Sequence, residues 1–181
     1  CYTVEDEKIE KDLLEVLQAI KEKEEDEYTI PILQKMNSDV FDRHNMGIFS
    51  IDGEEVQENI KLSLYKLESA DKTGFAITCN DLRVGEILAL VEDGEFDEEN
   101  NPFVRLLLAN INEYVQSTLR EWEELKKKNS VEYAKNAKWR DIIESGDYTY
   151  SNWKINNKDF KRFLLKTKWN QDGVYAIVVR A

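Results

Sequence analysis

The chain has 181 residues and a mass of 21.3 kDa, enough for one domain with a sizeable core. Hydrophobic residues make up 41% and charged residues 34%, a composition that excludes intrinsic disorder. The formal net charge of -12 repels phosphate, which argues against nucleic acid as a partner. Two distant cysteines and a single histidine exclude a disulfide scaffold and a zinc finger.

The chain begins with Cys1, the residue that lipoprotein signal peptidase leaves at the start of a mature bacterial lipoprotein. The acidic stretch 5–7 resembles the export segments that follow such cysteines in some Gram-negative surface lipoproteins. We therefore expect a periplasmic or cell-surface protein, secreted if it is not anchored. Cys1 is the lipidation candidate and the only expected link to a membrane. A chain boundary that falls on a cysteine by chance is the alternative.

The first half of the chain predicts a helix and a strand around one ambiguous segment. Residues 4–25 carry a single apolar stripe at helical spacing, which predicts an amphipathic helix. The stripe consists of Ile9, Leu13, Val16, Leu17 and Ile20. Residues 28–46 are ambiguous, because Pro31 limits a helix there while residues 37–39 could restart one. Residues 47–51 predict a strand that ends in an Asp-Gly turn.

The middle of the chain predicts three strands. Apolar and polar residues alternate over 60–65, which predicts a half-buried strand. Residues 75–79 form a second strand after polar turn residues, so the two should pair as an antiparallel hairpin. Residues 84–91 are mostly apolar and predict a third strand.

The second half predicts helices first and strands later. Asn101-Pro102 is a strong helix start, since Asn caps the helix and Pro suits its first position. That helix should be long and amphipathic and should end at the lysines 126–128. A further helix is expected over 130–146, and strand-like residues follow from Tyr148. The predicted fold class is α+β, an antiparallel sheet of about four to five strands packed against several helices.

The carboxy-terminal residues give weaker signals. Residues 160–165 predict a short apolar helix or turn. Residues 174–179 are apolar, and this tail could pair as an edge strand.

No catalytic motif stands out. A nucleophilic cysteine needs a base, yet Cys79 lies in an apolar strand and His44 in a separate polar stretch. Nucleotide-binding glycine motifs and Gly-x-Ser-x-Gly are absent from the sequence. Asp93, Glu95 and Asp97 are weak calcium candidates, because an EF-hand needs glycine where Glu98 stands. An acidic turn before a helix explains them better, so no cofactor is expected. Paired carboxylates of a hydrolase are an unspecific signal in so acidic a chain.

Two stretches resemble one family. Residues 74–90 read Gly-Phe-Ala-Ile-Thr-Cys-Asn-Asp-Leu-Arg-Val-Gly-Glu-Ile-Leu-Ala-Leu, and 94–97 read Gly-Glu-Phe-Asp. They resemble the pattern Gly-Phe-Val-Ile-Val-Ser-x-Asp-x-Arg-x-x-x-Ile-Leu-x-Tyr and then Gly-Ser-Phe-Asp in the prodomain of streptopain-type cysteine peptidases. The same domain occurs alone as the streptopain inhibitor. Residues 164–171, Leu-Leu-Lys-Thr-Lys-Trp-Asn-Gln, resemble Leu-Leu-x-Thr-x-Trp-x-Gln at the start of the family's catalytic domain. The likeness covers about residues 47–173.

The departures from the family pattern concern the enzyme part. The family continues with Pro-Tyr-Asn, where this chain has Val174-Tyr175-Ala176. The Gly-Cys-Val-Ala-Thr-Ala segment with the nucleophile is absent, and Cys79 takes a serine position of the prodomain strand. The resemblance thus implies a prodomain or inhibitor without catalytic residues.

The resemblance also implies a site. In this family the prodomain sits on the peptidase, displaces the catalytic histidine and carries an asparagine into the active site. Asp97 belongs to the Gly-x-Phe-Asp motif before this loop, and Asn101 or its neighbour Asn100 matches the asparagine. A plain helix cap is the alternative for Asn101. Asp81 and Arg83 match the family's Asp-x-Arg turn, with a turn-locking ion pair as the alternative.

These inferences divide the chain into three segments: an acidic amino-terminal helix (1–28), an inhibitor-like prodomain (29–163) and a remnant of a catalytic domain (164–181). The expected function is occlusion of the active site of a cognate streptopain-type cysteine peptidase encoded nearby. One alternative is a truncated, inactive zymogen. Another is a surface lipoprotein that reuses the fold to bind a different ligand through aromatic residues near Tyr148 and Trp153.

Overall fold

The computed structural model describes residues 3–24, 30–37, 39–46, 49–51, 54–56, 60–70, 72–81, 84–128, 164–167 and 174–178. The elements in these residues are α1 (Asp6–Glu24), β1 (Ile32–Met36), α2 (Val40–Arg43), β2 (Phe49–Ile51), β3 (Glu54–Val56), β4 (Leu62–Glu68), β5 (Thr73–Cys79), β6 (Ile87–Val91), α3 (Pro102–Lys128), β7 (Leu164–Thr167) and β8 (Val174–Val178). They form an α+β fold, which confirms the predicted class.

The main sheet has six strands, in the order β1-β4-β5-β6-β8-β7, and every neighbouring pair is antiparallel. The predicted hairpin is β4–β5, with Leu64 opposite Ile77. A separate two-stranded sheet is formed by β2 and β3.

The hairpin and its neighbour lie unusually close together at one point. An added Cβ at Gly74 in β5 would overlap the carbonyl oxygen of Val91 and would lie 2.5 Å from that of Glu92. Only glycine permits this approach of β5 to the end of β6. The first residue of the family-like motif therefore has a packing role.

One face of the sheet packs against α3. Alternate residues of β4, β5 and β6 share a buried cluster with the apolar stripe of this helix. The cluster includes Leu62, Leu64, Phe75, Ile77, Cys79, Ala89 and Val91 from the strands and Val104, Leu107, Leu108, Ile111, Val115 and Leu119 from the helix. Burial of this stripe is the main force that holds the long helix in place.

The opposite face is covered by α1. Tyr65 lies one residue from Leu64 and so points to the other side of β4, where its hydroxyl donates to Glu10 of α1 over 3.1 Å. Lys35 of β1 reaches the same helix and pairs with Asp6 at 2.6 Å. The central strands of the sheet are consequently covered on both faces, and β4 is buried rather than half-buried as its alternation predicted.

Several other expectations need correction, and some concern residues that the structure does not describe. The ambiguous segment contains β1 and α2, and Leu164–Thr167 is a strand where a helix or turn was expected at its start. The tail strand β8 lies between β6 and β7, not at an edge. The expected helix over 130–146 and the strand-like residues from Tyr148, including Trp153, lie outside the described residues.

The sheet has more strands than the four to five expected, because the carboxy-terminal strands join it. The amino-terminal segment joins the same body: the Val4 N–H donates to the Asn80 carbonyl over 2.8 Å, and Leu13 and Leu17 are fully buried. Elements from all three sequence segments thus share one sheet and its covering.

Candidate functional site

The family-like motif places the candidate site in the β6–α3 loop, residues 92–101. Gly94 adopts a positive φ of 151°, and its N–H donates to the carbonyl of Thr73 over 2.8 Å. Phe96 packs edge-to-face on Phe75 of the core, with ring centroids 5.2 Å apart and an interplanar angle of 83°. The start of the loop is thus fixed to the hairpin.

Asp97 organises the middle of the loop. Its Oδ1 accepts the backbone N–H groups of Glu99 at 3.2 Å and Asn100 at 3.1 Å, and its Oδ2 accepts the Asn100 amide at 3.0 Å. The backbone N–H of Asn101 donates to the Asp97 carbonyl over 3.0 Å. These hydrogen bonds hold the pKa of Asp97 below its usual value, and the bond from the Asn100 side chain has the largest effect.

The two candidate asparagines have different surroundings. The Oδ1 of Asn101 accepts the N–H of Phe103 at 3.0 Å, so this side chain is the cap of α3 that the sequence predicted. Asn100 is exposed, and its side-chain nitrogen is held by Asp97. Asn100 is therefore the one whose carboxamide is presented to solvent.

Glu98 ties the loop to α2. One of its carboxylate oxygens lies 2.6 Å from Nη2 of Arg43, and the other lies 2.9 Å from Nε2 of His44. Arg43 is held in turn by Asp39, 3.1 Å from its Nε. We call Arg43, His44 and Glu98 the Glu98 clamp. The hydrogen bond from His44, followed by that from Arg43, lowers the pKa of Glu98, while Glu98 and Asp39 raise that of Arg43.

The clamp rests on a rigid support. Val40 and Phe41 of α2 are buried in the core, and the N–H of buried Met46 donates to the Phe41 carbonyl over 2.8 Å. On the other side of the loop, Nη1 of Arg105 donates to the Glu99 carbonyl over 3.3 Å. The loop is thus braced from α2, from α3 and by its own Asp97.

The side chains weighed as a catalytic pair, and the weak calcium candidates, do not come together. Cys79 is fully buried in the core, whereas His44 is half exposed and bonded to Glu98. Among the residues that the structure describes, no three His, Cys, Asp or Glu side chains are grouped to hold a metal. Asp93 and Glu95 accordingly do not form a calcium site with Asp97, which instead binds the loop backbone.

The predicted Asp-x-Arg turn is described only in part. Asp81 is buried, and its carbonyl accepts the N–H groups of Val84 at 3.1 Å and Gly85 at 3.0 Å. Gly85 has a φ of 109°, the left-handed conformation that favours glycine. Arg83 and Cys1 lie outside the described residues, so the ion pair and the lipidation site stay predictions.

Sequence reasoning missed the Glu98 clamp. His44 and Glu98 are 54 residues apart in the chain, and neither belongs to a recognisable spacing pattern. The run of acidic residues at 97–99 gave no reason to single out one carboxylate. A signal existed only in α2, where Asp39 and Arg43 have the spacing of a helical ion pair.

Comparisons with protein-family models, with curated proteins and with solved structures find no significant match to this chain. Across the described part of the chain, neither long helix is apolar enough to span a lipid bilayer.

Proposed function

We propose that this protein is an inhibitor-like domain that occludes the active site of a streptopain-type cysteine peptidase, with the β6–α3 loop as the occluding element. The observation that carries the proposal is the threefold bracing of this loop by Asp97, the Glu98 clamp and Arg105. A loop that enters a peptidase and escapes cleavage must be held away from attack geometry. Bracing before binding also reduces the entropy lost on association.

Asn100 is the residue that we expect to contact the peptidase first. It is exposed, while Asn101 is occupied by helix capping. A carboxamide offers both donors and an acceptor, which suits the polar groups around a catalytic cysteine and histidine. Inhibition of this kind requires no chemistry from this chain, only a complementary interface of roughly 1,200–2,000 Å².

The acidic character of the chain suits a peptidase with a basic face. Glu95 and Glu99 of the loop are exposed, and the whole chain carries a net charge of -12. Opposite charges accelerate encounter and guide the orientation of the complex. A truncated zymogen would use the same loop. The aromatic residues of the ligand-binding alternative, Tyr148 and Trp153, lie outside the described residues.

The test measures inhibition of the streptopain-type peptidase encoded nearest to this protein. The wild-type chain should slow hydrolysis of a peptide substrate, and Asn100→Ala should raise the inhibition constant by about tenfold or more, equivalent to about 1.4 kcal/mol. Asn110→Ala in α3 is the matched control, since it makes the same change away from the loop. It should inhibit like the wild type.

A correctly folded wild-type chain that neither binds nor slows the peptidase would refute the proposal. If Asn100→Ala and Asn110→Ala weaken inhibition equally, the loop is not part of the interface with the peptidase. Cleavage within residues 96–101 at the rate of an ordinary substrate would show that bracing does not protect the loop.

A further inference from the structure

A groove lies beside the β6–α3 loop, on the side of the sheet that faces α3. Its volume is about 370 Å³, at the small end of the roughly 300–1,000 Å³ that ligand-binding clefts occupy. Its apolar walls come from Met36 of β1, Leu64 of β4, Phe75 of β5 and Phe96 of the loop. Because Phe96 packs edge-to-face on Phe75, this part of the wall is formed before any ligand binds.

Two side chains of opposite charge line the same groove. Lys66 of β4 lies directly opposite Phe75 of β5, and Glu95 precedes Phe96 in the loop. Lys66 pairs with Glu68 at 3.5 Å, and no ion pair within the described part of the chain joins Lys66 to Glu95. Glu95 is exposed. The groove thus combines apolar walls with one cationic and one anionic group that do not neutralise each other.

This combination of charges and walls narrows the chemistry of the ligand. A purely apolar molecule would take water from the Glu95 carboxylate without giving it a partner. A cation alone would meet the ammonium of Lys66, and an anion alone would meet Glu95. A zwitterion with an apolar side chain satisfies both charges and the walls together.

We propose that the groove binds a free α-amino acid with an apolar side chain, such as leucine. Its side chain packs against the apolar walls, its ammonium pairs with Glu95 and its carboxylate pairs with Lys66. A residue inside a polypeptide carries neither of these main-chain charges, because its amino and carboxyl groups form peptide bonds. The groove therefore favours a free amino acid over a side chain of the peptidase. This inference goes beyond the proposed inhibition and does not depend on it.

The first test compares leucine with three analogues by isothermal titration calorimetry on the full wild-type chain. Nα-acetyl-leucine lacks the ammonium and leucinamide lacks the carboxylate, so each should bind about tenfold more weakly than leucine. Glycine keeps both charges but lacks the side chain, and it should show no measurable binding. Amide chemical shifts locate the ligand: those of Thr73 and Phe96 should change with leucine, whereas that of Asn110 in α3 should not.

The second test removes one charge of the protein at a time. Glu95→Gln should weaken leucine binding about tenfold without weakening Nα-acetyl-leucine, which has no ammonium for Glu95 to pair with. Lys66→Gln should weaken leucine equally and spare leucinamide. Glu99→Gln and Lys61→Gln are the matched controls, because they remove the same charges from exposed residues outside the groove. Both should bind leucine like the wild type.

The absence of leucine binding up to about 10 mM would overturn the proposal. Equal binding of leucine and its two charge-deficient analogues would also overturn it, since the apolar walls alone would then explain the affinity. If leucine does not bind but Glu95→Gln weakens inhibition of the peptidase, the groove belongs to the peptidase interface and the proposal is wrong. A wild-type chain that binds leucine but does not inhibit the peptidase would refute only the proposed function.

Discussion

Glu98 connects two parts of the chain that are distant in sequence. Its side chain is 17% exposed, whereas those of Arg43 and His44 are 53% and 46% exposed. The carboxylate is shielded while the guanidinium of Arg43 and the imidazole of His44 face water, so the bonds are screened only in part. The position of the loop thus depends on a carboxylate whose two oxygens are both used.

Glu98→Gln should loosen the β6–α3 loop, because a carboxamide has one acceptor oxygen where the carboxylate uses two, and it removes the charge that pairs with Arg43. We expect faster amide hydrogen exchange at Glu99 and Asn100 and a free energy of unfolding lowered by about 0.5–1 kcal/mol, a modest value because the partners are half exposed. Glu113→Gln serves as the control, because Glu113 is an exposed glutamate of α3 outside the loop. Unchanged exchange in the loop would show that the clamp does not hold it.

The acidic groups of the loop predict a dependence of stability on pH. The pKa values of Asp97 and Glu98 are lower in the folded protein than their ordinary values. Such groups stabilise the fold above their unfolded pKa, about 4, and this contribution is lost as the pH falls through the lowered folded value. Urea unfolding should therefore show stability that decreases below about pH 4. Asp97→Asn should flatten this decrease; an identical pH profile would contradict the assignment.

At the scale of the elements, the amino terminus of α3 shows the capping role of Asn101, one of the two roles that sequence reasoning left open for this residue. The side chain caps the helix through Phe103, and Pro102 occupies the first helical position, where no N–H is needed. The cap directly follows the loop, so it also fixes where the loop ends. Asn101→Ser can separate capping from inhibition, because serine still caps a helix but has no carboxamide that could contact a peptidase.

Asn101→Ala should lower the free energy of unfolding by about 1 kcal/mol, whereas Asn101→Ser should remain close to the wild type. Chemical denaturation measures both. If Asn101→Ser is as destabilising as Asn101→Ala, Asn101 stabilises the protein by more than capping α3. Full inhibition by Asn101→Ser, alongside a loss in Asn100→Ala, would assign the peptidase contact to Asn100.

Elements with a strong periodic pattern could be predicted from the sequence. The stripe of α1, the β4–β5 hairpin and the start and end of α3 all follow from local spacing and capping. The strand β1 could not, because Ile32, Leu33 and Met36 do not alternate and four of its five residues are exposed. Its pairing with β4 decides its structure, and that partner lies some thirty residues away.

At the scale of the whole molecule, the net charge of -12 should attract a peptidase with a basic face. Added salt screens this attraction over about 10 Å.

We therefore expect the association rate with the peptidase to fall as NaCl is raised. Stopped-flow binding over a series of NaCl concentrations measures this trend. Sucrose at matched viscosity controls for slower diffusion. An association rate that does not change with NaCl would show that charge does not guide the encounter.

The sequence by itself determined the fold class, the long capped helix and the central hairpin, because periodicity, capping and turn chemistry act over a few neighbouring residues. The position of the candidate loop was implied by the motif resemblance. Only the tertiary structure decided that helices cover both faces of the sheet, that the last two strands join it, that Glu98 is bound by Arg43 and His44, and which asparagine is exposed. These features depend on contacts between residues far apart in the chain. Local sequence carries no record of such contacts, since many distant pairs would satisfy the same side chains equally well until the packed core selects one arrangement.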